Sequence, residues 1–140
     1  MVYNNLMDTN SKQSILIVDD DKFLLNMYQA KFGISGYVAE VSLSANEALQ
    51  KLRDGLEPSA ILFDIIMPGV DGVEFLKIVK KEKLASGAAF VALTNQGQSD
   101  SIEQLKEIGV DGYIVKASTI PSEVVSIVKR IVEKKSKHGV

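Results

Sequence analysis

Apolar runs of strand length alternate along the chain with segments whose apolar residues recur at helical spacing. Branched and aromatic residues dominate five runs, which predict strands over residues 14–18, 37–41, 60–64, 88–94 and 112–116. Apolar residues three and four positions apart predict five helices, over residues 22–33, 44–55, 71–84, 99–108 and 118–134. Strands that alternate with helices in this way form a parallel sheet covered on both faces, and near-continuous apolar strands fit that double burial.

Cap and stop residues mark the ends of the predicted helices. Ser44 and Glu47 have the spacing of a capping box, while Asp21 and Asp71 are expected to cap the first and third helices. Glycine is expected to end three helices, at Gly33, Gly55 and Gly109. The last helix is expected to bury a stripe made of Ile120, Val124, Ile127, Val128 and Ile131.

The number and order of these elements predict an α/β fold. Right-handed crossover connections and the chain length favour a flavodoxin-like doubly wound five-stranded parallel sheet, with strand order 2-1-3-4-5 and five helices. The 140 residues, 46% of them hydrophobic, suffice for one compact domain. We assign this domain to residues 14–134, between a flexible N-terminal tail over 1–13 and a C-terminal tail over 135–140.

Composition excludes several kinds of chemistry. The chain has no cysteine and a single histidine, which argues against disulfides, thiolate metal sites and histidine-based catalysis. Its formal net charge is −2 and its basic residues are dispersed, so direct contact with nucleic acid is not expected. Because no apolar run approaches the length of a membrane span and no secretory signal opens the chain, we expect a cytoplasmic protein without membrane contact.

Polar residues stand at or directly after the ends of four of the five predicted strands. The first strand leads directly into Asp19 and Asp20, the third ends in Asp64, the fourth in Thr94 and the fifth in Lys116. In a doubly wound sheet the first and third strands are neighbours, and ligands bind at the carboxyl edge between them. These side chains are therefore expected to converge at one edge.

The converging acids predict a metal site. Carboxylates at one point repel one another unless a cation lies among them or some become protonated. Oxygen ligands without His or Cys suit a hard cation, and a small number of protein ligands favours Mg²⁺ over Ca²⁺. With Mg²⁺ and the Lys116 ammonium beside it, the Asp64 carboxylate would attack phosphorus and form an aspartyl phosphate, with the Thr94 hydroxyl donating to a phosphoryl oxygen.

Four motifs, in order at four strand ends, resemble the receiver domain of two-component response regulators: ILIVDDD, ILFDIIMPGVDG, ALT and GYIVK. The resemblance covers the chain from about Ser14 to Lys134. It implies that Asp64 is phosphorylated by the phosphohistidine of a histidine kinase or of a phosphotransfer protein. It implies a Mg²⁺ cofactor held by Asp19, Asp20, Asp64 and the backbone carbonyl of Ile66.

The same resemblance implies a switch and its partners. Thr94 and Lys116 would stabilise the phosphoryl group, and Thr94 and Tyr113 would form the switch. A downstream target protein would dock on the face made by the fourth helix, fifth strand and fifth helix, and a homodimer formed on phosphorylation is another use of that face. The family consists of signalling domains that assist only their own phosphotransfer and dephosphorylation, rather than enzymes.

Two positions depart from the family pattern. Asn95 follows Thr94 where a small residue is typical, and Ala117 follows Lys116 where proline is usual, often after a cis bond. These departures support an alternative, a degenerate receiver that acts as an unphosphorylated interaction module. An aspartyl phosphatase resembling the haloacid dehalogenases would need an acid where Ile66 stands. A flavodoxin-like FMN binder would need a phosphate-binding loop where the first strand is followed by acids.

Overall fold

The computed structural model describes residues 13–95 and 97–138, and the predicted N-terminal tail lies almost entirely outside them. Parallel pairing joins five strands in one sheet with the order β2-β1-β3-β4-β5. The strands are β1 (Ser14–Val18), β2 (Val38–Ser42), β3 (Ala60–Asp64), β4 (Ala89–Thr94) and β5 (Gly112–Val115). The predicted fold class and strand order are confirmed.

Five helices cover the two faces of the sheet. They are α1 (Lys22–Ile34), α2 (Ala45–Arg53), α3 (Gly72–Lys81), α4 (Ser99–Ile108) and α5 (Pro121–His138). Buried residues of α1 and α5 share one core with the sheet, and buried residues of α2, α3 and α4 share the other. No helix in the described part of the chain is long and apolar enough to span a bilayer.

The three central strands β1, β3 and β4 supply both cores, because successive side chains of a strand point to opposite faces. Ile15 and Ile17 of β1 pack with α1 and α5, while Leu16 and Val18 pack on the other face. All four side chains have no exposed surface. This double burial explains why the strands are nearly continuous apolar runs rather than alternating ones.

The predicted N-caps are confirmed by hydrogen bonds. Side-chain oxygens of Asp21, Ser44 and Asp71 each accept a bond from the backbone N–H three residues later, at 3.1, 3.1 and 2.9 Å. The Glu47 side chain accepts from the N–H of Leu43, at 3.4 Å, rather than from that of Ser44. These bonds satisfy N–H groups that a helix start leaves without partners.

The end of α1 and both ends of α5 differ from the prediction, and α5 continues past the predicted end at Lys134 to His138. Gly33 lies inside α1, which ends at Ile34 with Ser35 as its C-cap, and the next glycine, Gly36, takes the left-handed conformation with φ 95°. Ile120 precedes α5 and is 61% exposed, so it does not belong to the core stripe. Proline at the first helical position fixes the start of α5 at Pro121.

The free edge of β2 is occupied by side chains of two helices. The carbonyl of Ser42 points toward β1, where it accepts from the N–H of Asp19. Because successive carbonyls of a strand point to opposite sides, those of Ala39 and Val41 point away from β1. The Gln29 amide donates to the carbonyl of Ala39 at 2.9 Å, and the Lys51 ammonium donates to that of Val41. These side chains satisfy backbone groups that an edge strand otherwise leaves without partners.

Candidate functional site

The strand registers bring the predicted site residues together at the carboxyl edge of the sheet. Val18 of β1 is paired with Phe63 of β3, so Asp19 and Asp64, each one residue further on, are adjacent. On the other side of β3, Asp64 is paired with Leu93, and Thr94 follows. Thr94 is in turn paired with Val115, which places Lys116 next along the same edge.

Asp19, Asp20 and Asp64 form a carboxylate cluster. Each offers one oxygen, and the three oxygens lie within 4.8 Å of one another. Asp19 and Asp64 are 0% and 4% exposed, whereas Asp20 is open to solvent. The Asp64 Oδ1 atom is buried and has no hydrogen-bond partner among the described residues. A buried anionic oxygen without a partner, beside two further carboxylates, fits a hard cation such as Mg²⁺.

Lys116 supplies the positive charge within the cluster. Its ammonium nitrogen lies 2.9 Å from Asp19 Oδ2 and 3.2 Å from Asp64 Oδ2. Burial lowers the pKa of Lys116, but the bond to Asp19 and the charges of both acids outweigh it, so the net shift is upward. Lys116 comes directly after β5, in a short 3₁₀ turn, Lys116–Ser118.

The Asp64 carboxyl has a raised pKa, and its causes oppose one another. Burial raises this pKa most, the neighbouring Asp19 charge raises it further, and the Lys116 ammonium lowers it. The upward effects of burial and of the Asp19 charge on this pKa thus exceed the downward effect of Lys116. A further cation at the cluster would favour the ionised, nucleophilic form of Asp64.

Thr94 and Tyr113 occupy adjacent strands with different exposure. Thr94 is 1% exposed, and its hydroxyl donates to the carbonyl of Ile114 at 3.4 Å. Tyr113 is 47% exposed, and the Lys106 ammonium lies 5.5 Å from the centroid of its ring. The Thr94 hydroxyl is therefore bonded to the residue that follows Tyr113.

The loops beside the cluster hold the remaining predicted residues. Ile66 follows β3 by two positions, and its side chain is 59% exposed. The backbone N–H of Asn95 donates to the side chain of Gln98 at 2.7 Å, which holds the start of the loop after β4. No cis peptide bond occurs among the described residues, so the Lys116–Ala117 bond is trans.

Gly72 is a site residue that the sequence reasoning missed. Its N–H donates to the Ile65 carbonyl at 2.7 Å. A Cβ atom on Gly72 would lie 2.5 Å from the Asp64 carbonyl oxygen and 2.7 Å from the Ile65 Cα. Because both contacts are with backbone, only glycine lets α3 begin this close to the acceptor. The Asp71-Gly72 pair that follows the apolar loop was the available signal.

Comparison with known proteins identifies the family of this chain. Residues 15–129 match the family model described as response regulator receiver domain. The chain therefore belongs to the receiver domains of two-component response regulators. This match confirms the family expected from the four motifs, and receiver domains are signalling domains rather than classical enzymes.

Relatives and solved structures give the same assignment. The chain is 34% identical over 135 residues to the transcriptional regulatory protein ResD of Bacillus subtilis, covering 93% of this chain and 52% of ResD. It is 28% identical over 110 residues to the chemotaxis protein CheY of Halobacterium salinarum, covering 79% of this chain and 89% of CheY. A CheY-like receiver domain from Methanospirillum hungatei superposes with a TM-score of 0.83 at 27% identity, covering 91% and 99% of the two chains. The chain thus spans about half the length of ResD.

Proposed function

We propose that this domain is a phosphorylation switch whose acceptor is Asp64. The observation that carries the proposal is the buried Asp64 oxygen without a partner, set beside two more carboxylates and the Lys116 ammonium. An oxygen of Asp64 would attack the phosphorus of a phosphohistidine. The phosphorus–nitrogen bond would break, and the leaving imidazole would keep the electron pair and take up a proton.

The donor set that we assign to Mg²⁺ is Asp19, Asp20, Asp64 and the backbone carbonyl of Ile66. Bound there, Mg²⁺ would neutralise charge that develops on the transferring phosphoryl oxygens. Lys116 would contact a phosphoryl oxygen from the β5 side while keeping its bond to Asp19, so it would orient the group without carrying it. The Thr94 hydroxyl would donate to another phosphoryl oxygen.

The signal would leave the site through Thr94. Turning its hydroxyl toward a phosphoryl group would break its present bond to the Ile114 carbonyl and vacate space beside β5. Tyr113, now half exposed, would turn inward and leave the Lys106 ammonium. Two alternative packings selected by one group would change the face formed by α4, β5 and α5, where a target protein or a second copy would dock.

Homologous response regulators imply histidine kinase partners and downstream targets for this domain. We assign the phosphodonor to a histidine kinase or a phosphotransfer protein acting in the cytoplasm. Three exposed apolar side chains support protein contact near the acceptor: Phe23, Ile66 and Ile120 are 74%, 59% and 61% exposed. Each lies within a few residues of Asp20, Asp64 or Lys116 along the chain.

Incubation with acetyl phosphate and Mg²⁺, followed by mass spectrometry, tests the acceptor. We expect one phosphoryl group on Asp64 and none in Asp64→Asn, whereas Asp71→Asn, which keeps the helix cap, should be modified like the wild type. A label on any other residue would refute the assignment. An unmodified wild-type protein that binds Mg²⁺ would instead favour the unphosphorylated interaction module.

A further inference from the structure

Two lysines flank one aromatic ring at the amino-terminal edge of the sheet, at the other end of the strands from Asp64. The Lys80 ammonium of α3 lies 4.5 Å from the centroid of the Phe90 ring, and the Lys135 ammonium of α5 lies 5.3 Å from it. Two like charges on one ring repel each other unless anionic groups offset them. The two lysines differ in how that charge is offset.

Lys135 has two hydrogen-bond acceptors, one of them a carboxylate. Its ammonium donates to the carbonyl of Ala88 at 2.6 Å and to Asp111 Oδ2 at 2.9 Å. The same Asp111 oxygen accepts from the N–H of Phe90 at 2.8 Å, so its capacity is largely used. Within residues 13–95 and 97–138, Lys80 forms no salt bridge with any carboxylate.

Lys80 thus retains charge that an anion would offset. Partial burial lowers the pKa of Lys80, and the neighbouring Lys135 charge lowers it further. The Asp111 charge raises this pKa, but by less, so the net shift is downward. Lys80 is nevertheless open to solvent on one side. An anion can therefore reach it without rearrangement of the chain.

A cavity of about 300 Å³ lies beside this ammonium. It is lined by Lys80, Lys83, Leu84, Ser86 and Phe90. The two lysines and the serine carry donors suited to phosphate oxygens, and Leu84 and Phe90 are the apolar lining residues. The volume falls at the lower end of the range for small-molecule sites.

The loop that lines the cavity has a strained backbone. Lys83 and Ala85 have φ values of 57° and 48°, in the left-handed region where glycine is favoured. Lys83 directly follows the C-cap of α3, which is the position where helices usually place glycine. The N–H of Leu84, the next residue, donates to the Val79 carbonyl and closes the helix end. A lysine at this position carries a conformational cost and lines the cavity, and such strain often accompanies a functional site.

We propose that this cavity binds a small phosphate-bearing anion, with Lys80, Lys83 and Ser86 holding the phosphate oxygens. Leu84 and Phe90 would contact the organic part of a phosphate monoester. The site lies at the amino-terminal edge of the sheet and uses none of the residues that surround Asp64. It is therefore a separate site from the acceptor.

Amide NMR titration of the Asp64→Asn protein without Mg²⁺ tests the proposal, because that variant removes the acceptor. The probes are inorganic phosphate and phenyl phosphate, with sodium chloride at matched ionic strength as the reference. We expect saturable shifts at Ser86, Gly87 and Phe90 with both phosphates. Tighter binding of phenyl phosphate would identify a monoester as the ligand, and equal binding would identify phosphate itself.

Matched lysine variants decide whether the cavity is responsible. Lys80→Gln and Lys83→Gln should each weaken binding about tenfold, since each removes a charged hydrogen bond. Lys77→Gln removes the same charge from an exposed position on the same helix and should leave the affinity within about twofold. Shifts that chloride reproduces, or equal losses in Lys77→Gln and Lys80→Gln, would overturn the proposal and leave only general charge attraction.

Discussion

The ammonium nitrogen of Lys116 lies 2.9 Å from a carboxylate oxygen of Asp19, whose side chain has no exposed surface. The two residues are far apart in the chain and meet because β1, β3, β4 and β5 are neighbours in the sheet. Lys116 is thereby held at the carboxylate cluster before any phosphoryl group arrives. It serves the stability of the fold as well as the proposed chemistry.

Replacement of Lys116 by alanine should destabilise the fold at neutral pH. Buried carboxylates would lose their counter-ion, and breaking a buried ion pair on one side costs about 3 kcal/mol. The control Lys106→Ala removes an exposed pair with Glu103 and a contact with the half-exposed Tyr113 ring, and it should change the free energy of unfolding by less than about 1 kcal/mol. Urea unfolding without Mg²⁺ measures both.

The same variant should show a defined pH dependence. The pKa of Asp64 is already raised in the folded protein, so its ionisation lowers stability as pH rises through the unfolded and folded pKa values. Loss of Lys116 removes an effect that lowers this pKa and enlarges that decline. The loss in the free energy of unfolding caused by Lys116→Ala should therefore be small below the ordinary aspartate pKa and grow toward neutral pH. A loss that is constant with pH would contradict the ion-pair explanation.

Removal of Asp20 should weaken Mg²⁺ binding. Mg²⁺ titration followed by amide NMR should give saturable shifts around Asp19 and Asp64, and Asp20→Ala should lower the affinity at least tenfold. Asp21→Asn removes the adjacent charge but keeps an oxygen that caps α1, so it should bind Mg²⁺ nearly as the wild type does. Equal losses in the two variants would indicate general attraction by acidic charge rather than a defined metal site.

Replacement of Thr94 by alanine should separate phosphorylation from the signal. The variant should bind beryllium fluoride and Mg²⁺ at Asp64 but show smaller NMR shifts in α4 and at Tyr113, because the group that links the site to β5 is lost. Coupling of about 1–3 kcal/mol is typical of such switches. Thr94→Ser keeps the hydroxyl and should retain the response. Full shifts in α4 for Thr94→Ala would rule out this route.

Gly72→Ala should be strongly destabilising, whereas Gly33→Ala should be stabilising. A Cβ on Gly72 would overlap the backbone of Asp64 and Ile65, and overpacking of this kind costs about 1–3 kcal/mol. Around Gly33, inside α1, nothing lies within 4 Å of the added atom, and alanine improves a helix by about 0.5–1 kcal/mol. Thermal unfolding of both variants measures the difference. Phosphorylation should be impaired only in Gly72→Ala.

Lys83→Gly and Lys81→Gly should change stability in opposite directions. Lys83 has a left-handed backbone that glycine adopts without strain, so this change should stabilise the fold by about 1 kcal/mol. Lys81 lies in the last turn of α3, where glycine costs about 1 kcal/mol. Urea unfolding compares them. Destabilisation by Lys83→Gly would show that its side chain contributes more to the fold than its backbone strain removes.

The fold was predictable because the strands and helices differ in the period of their apolar residues. The positions of Asp19, Asp64, Thr94 and Lys116 followed from the strand order, since neighbouring parallel strands end at one edge. Helix ends were less predictable. Gly33 and Gly36 are both glycines near the end of α1, and only the backbone conformation distinguishes the one that ends the helix.

Contacts between distant residues set the limit of the sequence reasoning. The motifs predict that Lys116 lies beside Asp64 and the phosphoryl group, whereas the shorter of its two contacts with acids is the one to Asp19. The role of Gly72 depends on how closely α3 approaches the loop after β3, which no local pattern reveals. The exposed side chain of Ile120 likewise reflects where Pro121 starts the helix rather than the periodicity of its apolar residues.

The side chains of Gln29 and Lys51 block the free edge of β2 against pairing with strands from other molecules. An incoming strand would have to displace both donors from the carbonyls of Ala39 and Val41 before it could pair with β2. With that edge blocked, strand addition could proceed only beyond β5. Growth confined to a single side ends when two molecules meet there, so intermolecular pairing of sheets would yield a closed pair and not a propagating fibril.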